Sequence, residues 1–199
     1  MGGTETRTRL FVDTVCDDDE GHDEVWAVPV DVEEGGGTYR LVTLGLDVPL
    51  VPDDVVRVTD IGGGVLVVTG VEALADRCTV IFRFDPEGDE AIRGGDHGGL
   101  TGGDLETMTT SFARALEARG VVVDGMPGTL HTAWPLGWGP REVGDASRAC
   151  MADHPGWEPV AWGDAEERAE DIAAHLVVPK TGRPERRRAG VHVPETRAR

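Results

Sequence analysis

His131 and Asp124 are the two residues whose types and placement come nearest to acid–base chemistry in this chain. An imidazole titrates close to neutral pH, and a carboxylate on an adjoining strand would orient it as a general base. Against that, a lone histidine on a strand is commonly a packed side chain, and a partner nucleophile is hard to find. The two serines, Ser111 and Ser147, fall inside predicted helices and outside any GxSxG turn. Cys16 stands beside Asp17, Asp18 and Asp19, whose charge disfavours a thiolate, and Cys78 opens a strand as a core residue would. The sequence therefore assigns no catalytic residue.

Metal and phosphate chemistry fare no better. Cys150 and His154 are four apart and would supply two ligands from one helix face, but a closed zinc site needs about four. In the acidic run Asp17–Glu24, taking Gly21 as the turn glycine puts Cys16 and Ala27 where an EF-hand needs oxygen ligands. A solvated acidic loop is the expectation, with no metal and no cofactor. The glycines between Gly94 and Gly103 precede a helix, yet Asp96 and Asp104 flank them and no lysine follows, so they read as a linker and not an anion cradle.

Two features suggest binding. Trp134, Trp138 and Trp157, with Trp162, fall within 29 positions near His131. Tryptophans fill cores and also line grooves, and here either role is open. Asp17, Asp18, Asp19 and Glu20 are the densest acidic cluster and the candidate contact for a basic partner.

The elements that must position these residues follow from patterning. Val-rich runs at Arg9–Val15, Glu24–Val32, Thr38–Gly45, Asp54–Ile61, Val65–Val71 and Cys78–Asp85 are separated by acidic, Gly-rich and Pro-containing turns. They predict a β-meander over residues 8–85, curled into a small barrel or half-barrel. After a Gly-rich loop at 86–103, Leu105, Met108, Phe112 and Leu116 form one apolar stripe of a helix ended by Gly120. Strands at Val121–Val123 and Thr129–Leu136 and helices at Arg141–Asp153 and Asp164–Leu176 complete a smaller α/β half at 100–179. The whole is expected to be one α+β domain, 8–179. The tail from Lys180 to Arg199 loses periodicity and is expected to be disordered.

Composition bounds function further. The 199 residues carry 37 Asp+Glu against 19 Lys+Arg, a net charge of −18. The tail holds seven basic and two acidic residues, so it carries +5 and leaves −23 on residues 1–179. Such a body repels nucleic acid and anionic membranes and attracts basic proteins. Arg186-Arg187-Arg188 is too short, and too close to that body, to reverse this. Asn and Gln are absent and Lys180 is the single lysine, a bias that fits a GC-rich bacterial genome, with a halophile as the alternative. Three widely spaced cysteines and no apolar N-terminal segment fit a reducing cytoplasm.

The segments Val25-Trp26-Ala27-Val28-Pro29-Val30, Tyr39-Arg40-Leu41 and Pro52-Asp53-Asp54-Val55-Val56-Arg57-Val58 resemble a family of small bacterial proteins catalogued as domain of unknown function 4265. Asp104–Gly120, Val121–Asp124, Leu130–Pro135 and Trp157 are similar in order and spacing, so the resemblance covers roughly residues 8–162. It departs at Asp53-Asp54, where the family has Gly-Asp, and at Ala75-Asp76-Arg77-Cys78, where the family has a Ser-Gly-His-type segment. The resemblance implies this fold and no activity. The sequence is thus read as a non-catalytic cytoplasmic module for a basic protein, of the inhibitor or immunity kind. The alternative is a small enzyme or ligand-binding protein with a pocket near His131. Oligomeric state is left open.

Overall fold

A computed structural model describes residues 6–16, 19–85 and 102–178. The fold is α+β, with two sheets and three helices among the described residues. Five strands, β1 (Thr8–Cys16), β2 (Asp19–Glu33), β3 (Gly36–Leu41), β4 (Val55–Asp60) and β5 (Leu66–Ala73), form a closed barrel in sequence order. Neighbours in the meander are antiparallel, and closure comes from β1 and β5 meeting in parallel at Phe11 and Val67. Alternation explains the core. Leu10 and Val12, Val25 and Ala27, Tyr39 and Leu41, and Val56 and Val58 point inward at period two and are buried.

The sixth strand leaves the barrel. β6 (Thr79–Phe84) is predicted as part of the meander, but it joins β7 (Val122–Met126), β8 (Thr129–Ala133) and β9 (Trp157–Gly163) in a second sheet of order β7-β8-β6-β9. Its alternation is as good as any barrel strand's, so periodicity alone could not say which sheet it enters. Helices α1 (Gly102–Glu117) and α2 (Pro140–Ala152) cover one face of this sheet. Phe112 and Leu116 of α1 and Val143 and Cys150 of α2 pack there with Val80, Phe82, Leu130 and Trp157. Gly120 ends the first helix as expected, at φ 79°, with its amide on the Glu117 carbonyl at 2.9 Å.

Two further boundaries move. Asp19–Asp23 is predicted as loop but is paired strand, with Asp19 opposite Cys16 and Asp23 opposite Val12. A two-residue connection leaves no room for a long acidic loop. Strand β3 stops at Leu41, so Val42–Gly45 belong to the connection that runs to β4. Strand β9 is not among the predicted strands. Pro159 within it and Glu158 at its start hide the pattern, and its pairing with β6 is irregular between Ile81 and Phe82. Gly156 is forced at its entrance: φ is 88°, and a Cβ there would lie 2.6 Å from the Phe84 ring.

The third helix, α3 (Ala165–His175), ties the two sheets together. Asp164 caps it, accepting from the amides of Glu166 at 2.9 Å and Glu167 at 3.1 Å, while Glu167 returns a carboxylate to the Asp164 amide. Ile172 enters the barrel core beside Val48 and Leu50. Among the described residues no helix is long and apolar enough to cross a membrane. Of the predicted loop at 86–103, residues 86–101 lie outside the described residues, as do Asp17, Asp18 and the predicted tail at 180–199, while Gly102 and Gly103 open α1 and are not loop.

Candidate functional site

A cleft of about 500 Å³ lies where three elements meet: the β3–β4 connection, the β6/β8 face of the second sheet, and α3. Each wall is held by sequence features that leave it little freedom. The connection is pinned at its outer end by Asp23, whose carboxylate accepts from the amides of Leu46 at 2.5 Å and Asp47 at 3.3 Å. Its inner end closes on Asp54. One carboxylate oxygen accepts from the Val51 amide at 2.8 Å, and the other from the Ala75 amide at 2.7 Å.

Asp54 is fully buried and pairs with Arg168 of α3, which is 1% exposed, at 2.5 Å. The guanidinium also donates to the carbonyls of Pro49 at 2.9 Å, Ala75 at 3.0 Å and Arg77 at 3.3 Å. Burial raises the Asp54 carboxyl, and the guanidinium and the two amides pull it back down. Asp53 next door sits at φ 75°, a left-handed conformation costly for most residues with a side chain. Its carboxylate bridges Arg77 at 2.7 Å and Arg40 at 3.4 Å, which holds it there.

The lining sorts by chemistry. Leu44, Pro49 and Ile81 are apolar, and Asp47, Glu167, Glu170 and Asp171 are acidic, with the Glu167 carboxylate bonded to the Asp164 amide and the Asp171 carboxylate to His175 at 3.0 Å. Trp162 reaches the rim from β9, where it pairs with Val80 and so faces the other side of the sheet from Ile81. His131 faces in from β8, opposite Ile81. Burial lowers the pKa of its imidazole, against the opposing pull of Asp124, Asp23 and Asp47. The buried Arg168 is compensated by Asp54, so with His131 neutral the cleft is negative.

This has a pH consequence. The folded pKa of His131 lies below its ordinary 6.5, so on acidification the unfolded chain takes up this proton first. Its contribution to stability should therefore be intact above about pH 6.5 and decline as pH falls from there to the folded pKa. NMR titration of the His131 ring should give a midpoint below 6.5. His131→Gln should remove that part of the stability–pH curve, and an ordinary or raised midpoint would show the burial argument to be wrong.

The sequence candidates separate on this geometry. His131 lines the cleft, and Asp124 lies opposite it across β7 and β8. The Asp124 carboxylate accepts from the Gly125 amide at 2.7 Å, and its charge acts on the His131 imidazole. Trp134 is fully buried, and Trp157 is 6% exposed and stacked on Phe112 at 4.8 Å between ring centroids. Trp138 packs against the same core, 6.0 Å from Trp134. These three are core residues and do not line the cleft. Trp162, 45% exposed, sits at the rim on β9, opposite Val80. Of the acidic run, Asp23 shapes the cleft through the connection it caps. Asp19 and Glu20 lie at the start of β2, and Asp17 and Asp18 lie outside the described residues.

Other chemistry is brought together without a cleft. Ser111 Oγ lies 3.2 Å from His154 Nε2, and His154 Nδ1 lies 3.0 Å from the Cys150 carbonyl. That is the tautomer a serine–histidine pair needs. Ser111 sits mid-helix, however, where neighbouring backbone amides are spent on helical hydrogen bonds and cannot form an oxyanion hole. The same geometry engages both His154 nitrogens, and Cys150 is buried, so the spaced pair does not present itself as metal ligands. Burial raises the pKa of both Cys78 and Cys150 thiols, with Asp164 and Asp76 adding to the effect at Cys78, which argues against reactive thiolates.

No protein-family model matches the chain, and no curated protein matches it. Among solved structures, a hypothetical protein from Neisseria gonorrhoeae is similar at a TM-score of 0.47 with 11% identity, over 82% of this chain and 96% of that one. None of these comparisons assigns a family or an activity.

Proposed function

We propose that this chain is a non-catalytic binding protein that engages a basic protein through its acidic surface, with the cleft beside His131 as the centre of the contact. The observation that carries this reading is the acidic lining of that cleft, Asp47, Glu167, Glu170 and Asp171, with the buried arginine already compensated. Among the described residues the cleft brings no serine or cysteine to His131. Charge on this scale steers a cationic partner into contact and is screened by salt. A cytoplasmic inhibitor or immunity-type role and the likeness to domain of unknown function 4265 belong to the same reading, and neither names the partner. A second reading, a small enzyme or small-molecule binder, draws on the position of His131 in the cleft wall.

The test is capture on the immobilised chain, identification of the captured protein, and measurement of its affinity once purified. The partner should be basic, and binding should weaken at least about tenfold between 0.1 M and 1 M salt, where the Debye length falls from about 10 to about 3 Å. Neutralising Asp47, Glu170 and Asp171 should weaken it more than replacing Asp17, Asp18, Asp19 and Glu20 with serine. Salt-insensitive binding, or turnover of a small molecule that His131→Gln abolishes, would replace this reading with the second.

A further inference from the structure

We infer that the groove between β5 and α3 is a docking site for the chain's own tail, which lays Val191 and Val193 in it. This goes beyond the binding reading and does not depend on it. The groove encloses about 390 Å³ and lies apart from the acidic cleft. Ala169, Ile172 and Ala173 line it, and by helical spacing they fall on the face of α3 opposite Glu167 and Asp171. Its floor belongs to the barrel. Val71, Leu74 and Leu176 are partly buried and pack on the barrel core, while Ala169, Ala173 and Val178 are exposed.

The strand wall is an open edge. β5 pairs with β4 from Leu66 to Ala73, but among the described residues its other side meets β1 only at Phe11 and Val67. The backbone of Val71–Ala73 therefore offers hydrogen bonds along an apolar groove, which suits an extended segment with alternating apolar side chains.

The chain itself brings such a segment to this place. After α3, Leu176 bridges to Thr14 and the Val177 amide donates to the Asp13 carbonyl at 2.9 Å, so the chain runs extended along β1. It then leaves the described fold at Val178, on the groove's own wall. In the tail beyond, Val191-His192-Val193 puts two valines on one side of an extended chain, bounded by Gly190 and Pro194. Residues 179–190 separate them from Val178 and span about 20 Å as a flexible chain, ample to return to a groove that starts at Val178. A tether of that length gives an effective concentration on the order of millimolar, an advantage that no outside peptide has. Charge acts in the same direction. Arg186, Arg187 and Arg188 lie within five residues of Val191, and the exposed Glu166 and Glu170 flank the groove's row on α3.

NMR of the full chain tests the docking. Val191→Asp combined with Val193→Asp changes only the tail and should shift the signals of Leu74, Ala169 and Ala173, while Phe82 and Leu130 in the second sheet stay in place. Ala173→Glu, at an exposed helix position, should move the methyl signals of Val191 and Val193 to where they stand in a free peptide of residues 188–196. Groove signals that are the same with and without the two valines would overturn the inference, as would valine methyls that already match the free peptide in the unaltered chain. Dilution of the unaltered chain over about a hundredfold should leave the groove signals unchanged, because the tether fixes the local concentration. A shift on dilution toward the positions of the double variant would assign the groove to the tail of a second copy and overturn docking within one chain.

Discussion

Arg168→Met should destabilise the fold by about 3–5 kcal/mol and lower the melting temperature by on the order of 10 °C. The pair it breaks lies in the interior, with Asp54 fully buried and Arg168 1% exposed. An exposed ion pair is worth little, because water solvates the survivor. Here the survivor is a carboxylate with no access to water, and the carbonyls of Pro49, Ala75 and Arg77 lose their donor as well. Asp54→Asn should cost less than Arg168→Met but remain well above a surface change. One amide oxygen can still accept from Ala75 or Val51, while the new NH2 faces donors on the other side. Combining Asp54→Leu with Arg168→Met should recover only part of the loss. Removing both charges cures the unpaired ion, yet it leaves the amides of Val51 and Ala75 unsatisfied. Urea unfolding of the single and double variants measures the coupling. A shift below about 2 °C for Arg168→Met would mean that water reaches this site and that the three segments are not held by it.

That pair also shows what a sequence can and cannot disclose. The strands were legible because alternation is local: Arg40-Leu41 and Val55-Val56-Arg57-Val58 show which side faces the core. The stripe Leu105, Met108, Phe112, Leu116 was legible for the same reason, and Phe112 and Leu116 are fully buried. Arg168 was not legible. It sits in Glu-Glu-Arg-Ala-Glu, a pattern that reads as a solvent-exposed helix face, and its partner is 114 positions away. Nothing in the neighbours of either residue says that the two meet. The cleft divides in the same way. His131 could be singled out by type. Asp47, Glu170 and Asp171 are three carboxylates among 37 acidic residues, and only the packing of α3 against the β3–β4 connection selects them. Trp162 went unassigned because the strand carrying it is broken by Pro159, so no face could be given to it. The acidic run at Asp17–Glu24 drew attention by density. Its structurally specific member is Asp23, because its carboxylate caps the backbone of the β3–β4 connection.

Trp134→Ala should cost about 3–5 kcal/mol, and Trp162→Ala clearly less. Both residues belong to the same sequence cluster, so the contrast tests which tryptophans build the core and which lie at its edge. The Trp134 ring is fully buried among Cys78, Val80, Phe82 and Val143 in the core of the second sheet. Its indole N–H donates to the Thr132 hydroxyl at 3.1 Å, and that hydroxyl donates to the Val80 carbonyl at 2.7 Å. Alanine would leave a cavity of nearly a whole indole under α2, and the rigid backbone of β8 cannot collapse into it. Trp134→Phe separates the two contributions. It keeps most of the apolar volume and loses only the N–H, and because Thr132 can still donate to Val80, the cost should be nearer 1–2 kcal/mol. At Trp162 the residue is 45% exposed, so truncation removes less buried surface than at Trp134. Equilibrium unfolding in urea, with the slope checked for constancy, measures all three. If Trp162→Ala destabilises as much as Trp134→Ala, then Trp162 is part of the packing that holds β9 on the sheet. If Trp134→Ala is mild, the second sheet's core yields more than its close packing allows, and the division of the four tryptophans between core and edge has to be redrawn.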